Sequence, residues 1–207
     1  MKALLICGSP NEAGCTYTAL CEVEKALNAN GVATEIYKIG KAPISGCRAC
    51  KACYKLGRCA VNDDVNAIAS RMDEFDAIVI GSPVYYAGAN GSLISFLDRL
   101  FYSSGRKMAG KVGAAIVSCR RGGASAAFDQ LNKYFGISNM VVATSQYWNQ
   151  VHGNTAEEVL QDGEGLQTMR TLGENIAWLL RLIECGKQNG IEPPKYETEK
   201  IRTNFIR

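Results

Sequence analysis

Short apolar runs alternate with longer amphipathic segments along most of the chain. The apolar runs, rich in β-branched residues, predict five strands at residues 3–7, 32–39, 77–81, 112–118 and 140–145. Apolar residues at helical spacing predict five helices at residues 16–30, 65–72, 91–102, 125–135 and 166–185. Because the strands are almost continuously apolar, we expect a parallel sheet with helices on both faces. The pattern therefore predicts a doubly wound three-layer α/β sandwich.

Two connections are longer than the roughly 2–6 residues usual between a strand and a helix. Residues 40–62 and 146–165 show no helical or strand periodicity, which is typical of functional loops. We expect one domain, residues 1–185, with residues 40–62 as an insertion, followed by a C-terminal surface arm at residues 186–207. The second loop contains the polar and aromatic residues Trp148, Asn149, His152 and Gly153.

Composition narrows the choice of compartment and partner. The chain has 207 residues, 47% of them hydrophobic, and a net charge of +3 without a long run of like charges, so we expect no nucleic-acid partner. The apolar run before Gly8 is too short for a signal peptide, and none approaches the roughly 20 residues of a membrane helix. We therefore expect a cytoplasmic protein without a membrane partner. Nine cysteines, an odd number, favour metal or thiol chemistry over a disulfide scaffold.

The turn from Gly8 to Thr16 leads directly from the first strand into a helix. Backbone N–H groups at a helix N-terminus, with Ser and Thr hydroxyls, form an anion site, so this loop is a candidate phosphate cradle. It lacks the Gly-Lys-Ser/Thr of a Walker A loop and the Gly-x-Gly-x-x-Gly of a dinucleotide site. A tyrosine phosphatase of low molecular weight needs Cys-x5-Arg, and here Ala13 follows Cys7 at that spacing. An ordinary βα turn with Ser/Thr capping explains the same residues.

Two further loops follow the third and fourth strands. Pro83, Tyr85 and Tyr86 offer a flat apolar edge to a ring, next to the switch point between the first and third strands. One ligand can therefore have its phosphate in the first loop and its ring against the second. After the fourth strand, Arg120 and Arg121 precede two glycines and can meet negative charge, although solvated surface arginines are equally compatible with this pattern.

Four cysteines lie within thirteen positions of the long first loop, as Cys47-x2-Cys50-x2-Cys53-x5-Cys59. Three thiolates at this spacing can wrap one corner of a [4Fe–4S] cluster, and the fourth can close it. Zinc sites more often separate two Cys-x2-Cys pairs by a long insert, so zinc is the lesser metal hypothesis. Bacterial ferredoxins have a last gap of three residues followed by Pro, whereas this gap is five and Ala60 follows. A metal-free thiol group, or a redox pair of Cys53 and Cys59, remains an alternative.

With these motifs the chain resembles the NADPH-dependent FMN reductase group of flavodoxin-like proteins and, within it, the iron–sulfur flavoproteins. The resemblance rests on Gly8-Ser9-Pro10 with Thr16, on residues 81–86, and on the cysteines followed by Asp63-Asp64. Flavodoxin-like is the commonest small form of such a sandwich, with a five-stranded parallel sheet in the order 2-1-3-4-5.

The resemblance implies a set of FMN contacts. It implies that the phosphate is held by the first loop, at Ser9, Asn11, Gly14, Cys15 and Thr16. It implies that the ring is held by Pro83, Val84, Tyr85, Tyr86, Asn90, Ser118, Arg120, Arg121, Gly122 and Gly123. Relatives often carry Asn where this chain has Cys15, so a backbone contact would survive there and a side-chain amide contact would not.

The function that follows is an FMN-dependent oxidoreductase with NAD(P)H as electron donor, a small-molecule or protein acceptor, and a [4Fe–4S] relay. Hydride transfer to a flavin requires no acid–base side chain, so no catalytic residue is assigned, and His152 is expected to be structural. A flavodoxin-type carrier without NAD(P)H activity and a thiol-sensing module are the alternatives. We expect a homodimer or homotetramer, because the tail and the cysteine loop are available to cover a neighbour's flavin. We expect the cysteines on the flavin side of the sheet.

Overall fold

The computed structural model describes residues 1–195, 201 and 203–205. In chain order the elements are β1 (Lys2–Cys7), α1 (Cys15–Ala29), β2 (Ala33–Lys38), α2 (Cys53–Leu56), α3 (Asp64–Ser70), β3 (Ala77–Tyr85), β4 (Gly88–Ala89), α4 (Gly91–Ser104), β5 (Val112–Cys119), α5 (Ala124–Ile137), β6 (Val141–Val142), β7 (Gln150–His152), α6 (Ala156–Val159) and α7 (Gly163–Gln188). Helix α7 extends three residues into the predicted C-terminal arm. Positions 196–200, 202, 206 and 207 of that arm lie outside the described residues, and the division at residue 185 stays a prediction.

A parallel sheet forms the middle layer. Strand β1 pairs with β2 on one side and β3 on the other, and β3 pairs with β5. Strand β6 continues the order as β2-β1-β3-β5-β6, which confirms the predicted flavodoxin-like order 2-1-3-4-5. The carboxyl ends of β1, β3 and β5 therefore lie side by side, and the loops that follow them meet at one edge.

The fifth strand position differs from the prediction. Instead of one strand over 140–145, two short strands, β6 and β7, pair with opposite ends of β5. The chain leaves the sheet between them, and there the buried Asn149 side chain donates from Nδ2 to the Ala115 carbonyl of β5, 3.0 Å away. A side-chain amide thus satisfies a strand carbonyl that has no strand beside it.

The connections predicted to be irregular contain short elements. Helix α2 is a single turn inside the cysteine loop, and β7 and α6 lie inside the second long loop. Strand β3 runs four residues past its predicted end and folds back as a hairpin with β4. The five predicted helices are confirmed as α1, α3, α4, α5 and α7, with ends that differ by up to three residues.

Alternate residues of each strand belong to different cores, as expected when both faces of a sheet are covered. Leu4 and Ile78 pack in the core beneath α3, α4 and α5, whereas Leu5 and Val79 pack in the core beneath α1 and α7. All four side chains are fully buried. In the described part of the chain, no helix combines the length and the apolar character needed to span a membrane.

Candidate functional site

Hydrogen bonds join the three predicted flavin loops at the carboxyl edge of the sheet. The Gly8 amide donates to the Gly81 carbonyl at 2.8 Å, which links the loop after β1 to the end of β3. The hydroxyls of Thr16 and Ser118 lie 2.7 Å apart and link α1 to the end of β5. Both hydroxyl side chains are buried. The structure therefore brings the three loops together as one site.

Asn90 joins the first two loops through hydrogen bonds. Its Nδ2 donates to the Gly8 carbonyl at 2.8 Å, and its Oδ1 accepts from the Ser92 amide at 2.8 Å, capping α4. Its own amide donates to the buried Ser82 hydroxyl. Asn90 was predicted to contact the ring, and the structure gives its side chain a scaffolding role at the edge of the site.

The first loop fits the phosphate of FMN. Helix α1 begins at Cys15 after an extended Gly14, and within the described residues no side chain caps it and no acidic side chain stands in its first turn. Its free N–H groups and positive dipole end suit an anion. Ser9 is buried and accepts from the Asn11 amide at 3.2 Å, while the Asn11 side chain is exposed.

The Cys15 side chain has its own partner. The thiol lies 3.5 Å from the Gly153 carbonyl, and burial raises its pKa above the usual 9.0. The thiol is therefore held in its neutral form at neutral pH. Cys15 contributes its backbone N–H to the helix terminus, and the thiol joins the first loop to the segment after β7.

The hairpin of β3 and β4 forms the wall of the ring site. Tyr85 is 46% exposed and Tyr86 fully exposed at its tip, and Tyr86 and Ala87 both have positive φ, 51° and 60°. Gly123 lies against this tip with φ of 88°, and a Cβ there would come within 2.7 Å of Ala87 Cα. The glycine thus lets the third loop approach the hairpin, in which Pro83 and Val84 are half-buried.

The third loop also presents charge. Arg120 and Arg121 follow β5, and both are exposed together with Gly122. Neither arginine forms an ion pair with a described residue. Both guanidinium groups are therefore available to an anionic ligand, and their contact with one stays a prediction.

All four cysteines of the long loop line a single cavity of about 270 Å³. Cys47 and Cys50 are exposed, and Cys53 and Cys59 are half-buried. Among the described residues, no three His, Cys, Asp or Glu side chains form a group that could hold a metal ion. Four thiols around one cavity match the ligand number of a [4Fe–4S] cluster, so the donor set fits that group.

The expectation that the cysteines lie on the flavin side of the sheet stays a prediction. Their cavity is closed by Arg99, Tyr102 and Ser103 of α4. At 1.5 Å per residue, Arg99 lies about 13 Å along the helix axis from Asn90 at the flavin edge. The loop follows β2, and its cysteines lie against these residues of α4 before α3 begins.

Arg99 is a buried charged residue at this cavity that the sequence reasoning missed. It is 1% exposed, and its guanidinium contacts Asp63 and Cys59. The guanidinium holds the pKa of the Asp63 carboxyl below its usual 3.8. Two features of the sequence could have indicated Arg99. One is its position in the apolar helix α4, and the other is the Asp63-Asp64 pair after the last cysteine.

His152 lies at the end of β7. Its imidazole is 45% exposed, with Nδ1 3.8 Å from Asp162 Oδ2, and its amide donates to the same carboxylate at 2.6 Å. The residue pairs in register with Cys119 of β5. These contacts agree with a structural residue.

The chain has clear relatives. The profile of the NADPH-dependent FMN reductase family matches residues 1–155. An iron–sulfur flavoprotein of Methanocaldococcus jannaschii is 32% identical over 192 residues, covering 89% of this chain and all of the relative. One of Methanosarcina thermophila is 27% identical over 189 residues, covering 89% and 97%.

Solved structures share the fold at low identity. RosB with a bound riboflavin-phosphate intermediate superposes with a TM-score of 0.68 at 14% identity, over all of this chain and 93% of that one. The NAD(P)H:acceptor oxidoreductase FerB of Paracoccus denitrificans gives 0.66 at 15% identity, over 87% and 97%. The chain therefore belongs to the NADPH-dependent FMN reductase family, among the iron–sulfur flavoproteins, and is a flavodoxin-like FMN-dependent oxidoreductase.

Proposed function

We propose that the protein oxidises NAD(P)H with FMN and passes the electrons through a [4Fe–4S] cluster, held by Cys47, Cys50, Cys53 and Cys59, to an external acceptor. The observation that supports this most is the presence, on one chain, of three joined flavin loops and of a cavity lined by four thiols. FMN, when bound, supplies hydride and single-electron transfer at its ring.

In the proposed complex, the first loop holds the phosphate. The N–H groups at the start of α1 and the hydroxyls of Ser9 and Thr16 bind it, because they are donors without a competing carboxylate. Since the Thr16 and Ser118 hydroxyls bond to each other, one of their two hydrogens remains to donate onward.

The hairpin and the third loop orient the ring. The half-buried Pro83 and Val84 exclude water from one of its edges, and Gly123 brings the backbone of the third loop to the same place. Arg120 and Arg121 then attract the phosphates of the nicotinamide donor. An exposed guanidinium without a carboxylate partner is suited to bidentate phosphate contact.

The acceptor is proposed to approach the cysteine loop. Residues 40–62 contain five basic side chains and no acidic one, although the whole chain carries only +3. All five are exposed around the cysteines, at Lys41, Arg48, Lys51, Lys55 and Arg58. This positive rim favours an anionic small molecule or a protein with an acidic face.

Anaerobic stopped-flow mixing with NADH and with NADPH tests the donor. We expect at least one nicotinamide to bleach the flavin absorption band within the time of a turnover. The double variant Arg120→Gln/Arg121→Gln is expected to need about a hundredfold more nicotinamide for half-maximal rate, because each of the two charged contacts contributes about 1.5 kcal/mol and 1.4 kcal/mol is a factor of ten. Arg181→Gln, which removes another exposed arginine, is the control. No bleaching by either nicotinamide would identify a carrier that is reduced by a partner protein.

Single cysteine substitutions test the cluster. Cys50→Ser is expected to lose most of the bound iron and to keep FMN, because the thiols and the flavin loops lie in different parts of the fold. Cys185→Ser, at an exposed cysteine on α7, is expected to keep both. Equal iron in wild type and Cys50→Ser would exclude the cysteine loop as the cluster site.

A further inference from the structure

Arg99 is the largest of the fully buried side chains among the described residues. It lies on α4, in the run Leu-Asp-Arg-Leu-Phe, beneath the cysteine loop. A buried guanidinium is costly unless it is paired and all of its donors find acceptors. The groups around Arg99 must therefore supply a negative charge and a hydrogen-bond acceptor for each N–H.

Every N–H of Arg99 has an acceptor. Nη1 and Nη2 donate to the two carboxylate oxygens of Asp63, each at 2.6 Å. Their second hydrogens point to the carbonyls of Ser45 at 3.2 Å and Val61 at 3.1 Å. Nε donates to Cys59 Sγ at 3.3 Å. A guanidinium has five N–H donors, so none is left for another partner.

These acceptors stand on both sides of the cysteines. Ser45 precedes the first cysteine by two residues, and Val61 and Asp63 follow the last. Arg99 thus fastens the two ends of the loop to α4. The backbone of Cys59 is held separately, since its amide and carbonyl bond to the Asn66 side chain at 3.0 Å each. The Cys59 sulfur is therefore fixed by its main chain and by a charged donor at once.

We propose that Arg99 is a positioning residue for the electron-transfer reaction: its Nε–H bond to Cys59 Sγ orients that ligand and raises the reduction potential of the bound cluster. The inference rests on the proposed function, because it takes the four cysteines to hold a cluster. Reduction of such a cluster adds one electron and breaks no bond at Cys59. The added negative charge is stabilised by the N–H···S bond and by the guanidinium charge, both of which act on potential in iron–sulfur proteins.

Arg99→Lys is the informative variant. Lys keeps the positive charge opposite Asp63, but its single ammonium cannot reach Asp63, both carbonyls and Cys59 Sγ together. Arg58→Gln is the matched control, since it removes an exposed cation next to Cys59 that donates no hydrogen bond to a described residue. Iron, sulfide and FMN are measured per chain after anaerobic purification, and the cluster potential is measured by spectroelectrochemical titration.

We expect Arg99→Lys to keep FMN and to lower the equilibrium constant for cluster reduction about tenfold, which is 59 mV for a one-electron couple. Arg58→Gln is expected to change it less than threefold. An unchanged potential in Arg99→Lys, or an equal shift in Arg58→Gln, would overturn the inference and leave the cluster intact. A wild type that holds FMN but no iron would overturn the proposed cluster, and the inference with it.

A second variant covers the case in which Arg99→Lys binds no iron. Asp63→Asn leaves the guanidinium and its Nε–H in place, and it is expected to retain the cluster. Retention there, with loss in Arg99→Lys, supports the N–H···S bond as the contact that matters. Loss of iron in both variants, with a normal Arg58→Gln, would mean that the ion pair only folds the loop, and the inference would be wrong.

Discussion

At the scale of single residues, the flavin site depends on small polar groups that join segments far apart in the sequence. Thr16 and Ser118 are 102 positions apart, and Asn90 and Gly8 are 82 apart, yet each pair shares a buried hydrogen bond. A buried polar group that loses its partner costs about 1–3 kcal/mol. Substitutions at these positions should therefore weaken FMN binding as well as lower the stability of the fold.

Thr16→Val tests the hydroxyl pair. The substitution keeps the side-chain shape but removes the partner of Ser118 and one hydroxyl of the phosphate site. We expect the dissociation constant for FMN to rise about tenfold or more, since 1.4 kcal/mol is a factor of ten. Fluorescence titration of the flavin-free protein measures it. Thr171→Val removes a hydrogen bond of similar length on α7 and should leave the constant unchanged. An equal constant in wild type and Thr16→Val would contradict this role.

Gly123→Ala tests the close approach of the third loop to the hairpin. The new Cβ would meet Ala87 Cα at 2.7 Å, at a φ of 88°. We expect the free energy of unfolding to fall by about 2 kcal/mol or more, measured by urea denaturation of the flavin-free protein. Gly122→Ala is the matched control, because a Cβ there meets nothing within 4 Å. Similar losses in the two variants would show that the hairpin contact is not the cause.

At the scale of elements, the sequence predicted the helices and strands that have a clear apolar period. It missed the elements that depend on contacts between distant residues. Five helices and the first four parallel strands follow from local apolar spacing, and the structure confirms them. The prediction of the fifth strand was wrong in its length. Residues 140–145 are apolar enough to form one strand, but the Asn149 side chain makes the hydrogen bond to β5 that a longer strand would have made. Helix α2 was missed because a single turn is too short to show a period.

Asn149→Ala tests the interrupted strand. The Ala115 carbonyl would lose its 3.0 Å donor, and the Ser145 hydroxyl would lose one of its two acceptors at 2.7 Å. We expect the free energy of unfolding to fall by about 1–3 kcal/mol in urea denaturation. Asn154→Ala, at an exposed side chain, should change it by about 0.5 kcal/mol at most. No loss in Asn149→Ala would mean that water or the backbone replaces the amide.

The edge strand β2 is tied to its neighbours by charge, which predicts a pH dependence. The Arg71 guanidinium, bidentate at 2.7 Å, together with Lys2 at 3.0 Å, lowers the pKa of Glu35 from 4.5 to about 2. Because the folded pKa is the lower one, the stabilisation is fully present above about pH 4.5 and is lost as the pH falls towards 2.

Glu35→Gln should therefore be less stable than wild type at pH 6, and the difference should shrink as the pH falls below 4.5. Thermal unfolding followed by circular dichroism between pH 6 and 3 measures both curves. Thr171→Val, which removes a hydrogen bond between two neutral side chains, is the control and should run parallel to wild type. A constant difference between Glu35→Gln and wild type at every pH would contradict the linkage.

At the scale of the whole molecule, the sequence predicted the parts of the site better than their arrangement. The flavin loops were expected together because parallel strands end at one edge, and they meet there. The cysteines share a cavity as their spacing implies, but the path of a 23-residue loop is not encoded in its spacing, and the loop folds over α4. The pairing of Arg99 with Asp63 could not be predicted, because the two residues lie 36 positions apart.

The homodimer or homotetramer stays a prediction, which sedimentation equilibrium tests.

The central claim is that one chain holds FMN at the carboxyl edge of the sheet and a [4Fe–4S] cluster in the cysteine cavity. Anaerobic purification, followed by an absorption spectrum and by assays of flavin, iron and sulfide per chain, tests it most directly. The predicted result is one FMN with about four irons and four sulfides in the wild type. FMN without iron or sulfide in protein kept strictly anaerobic would contradict it.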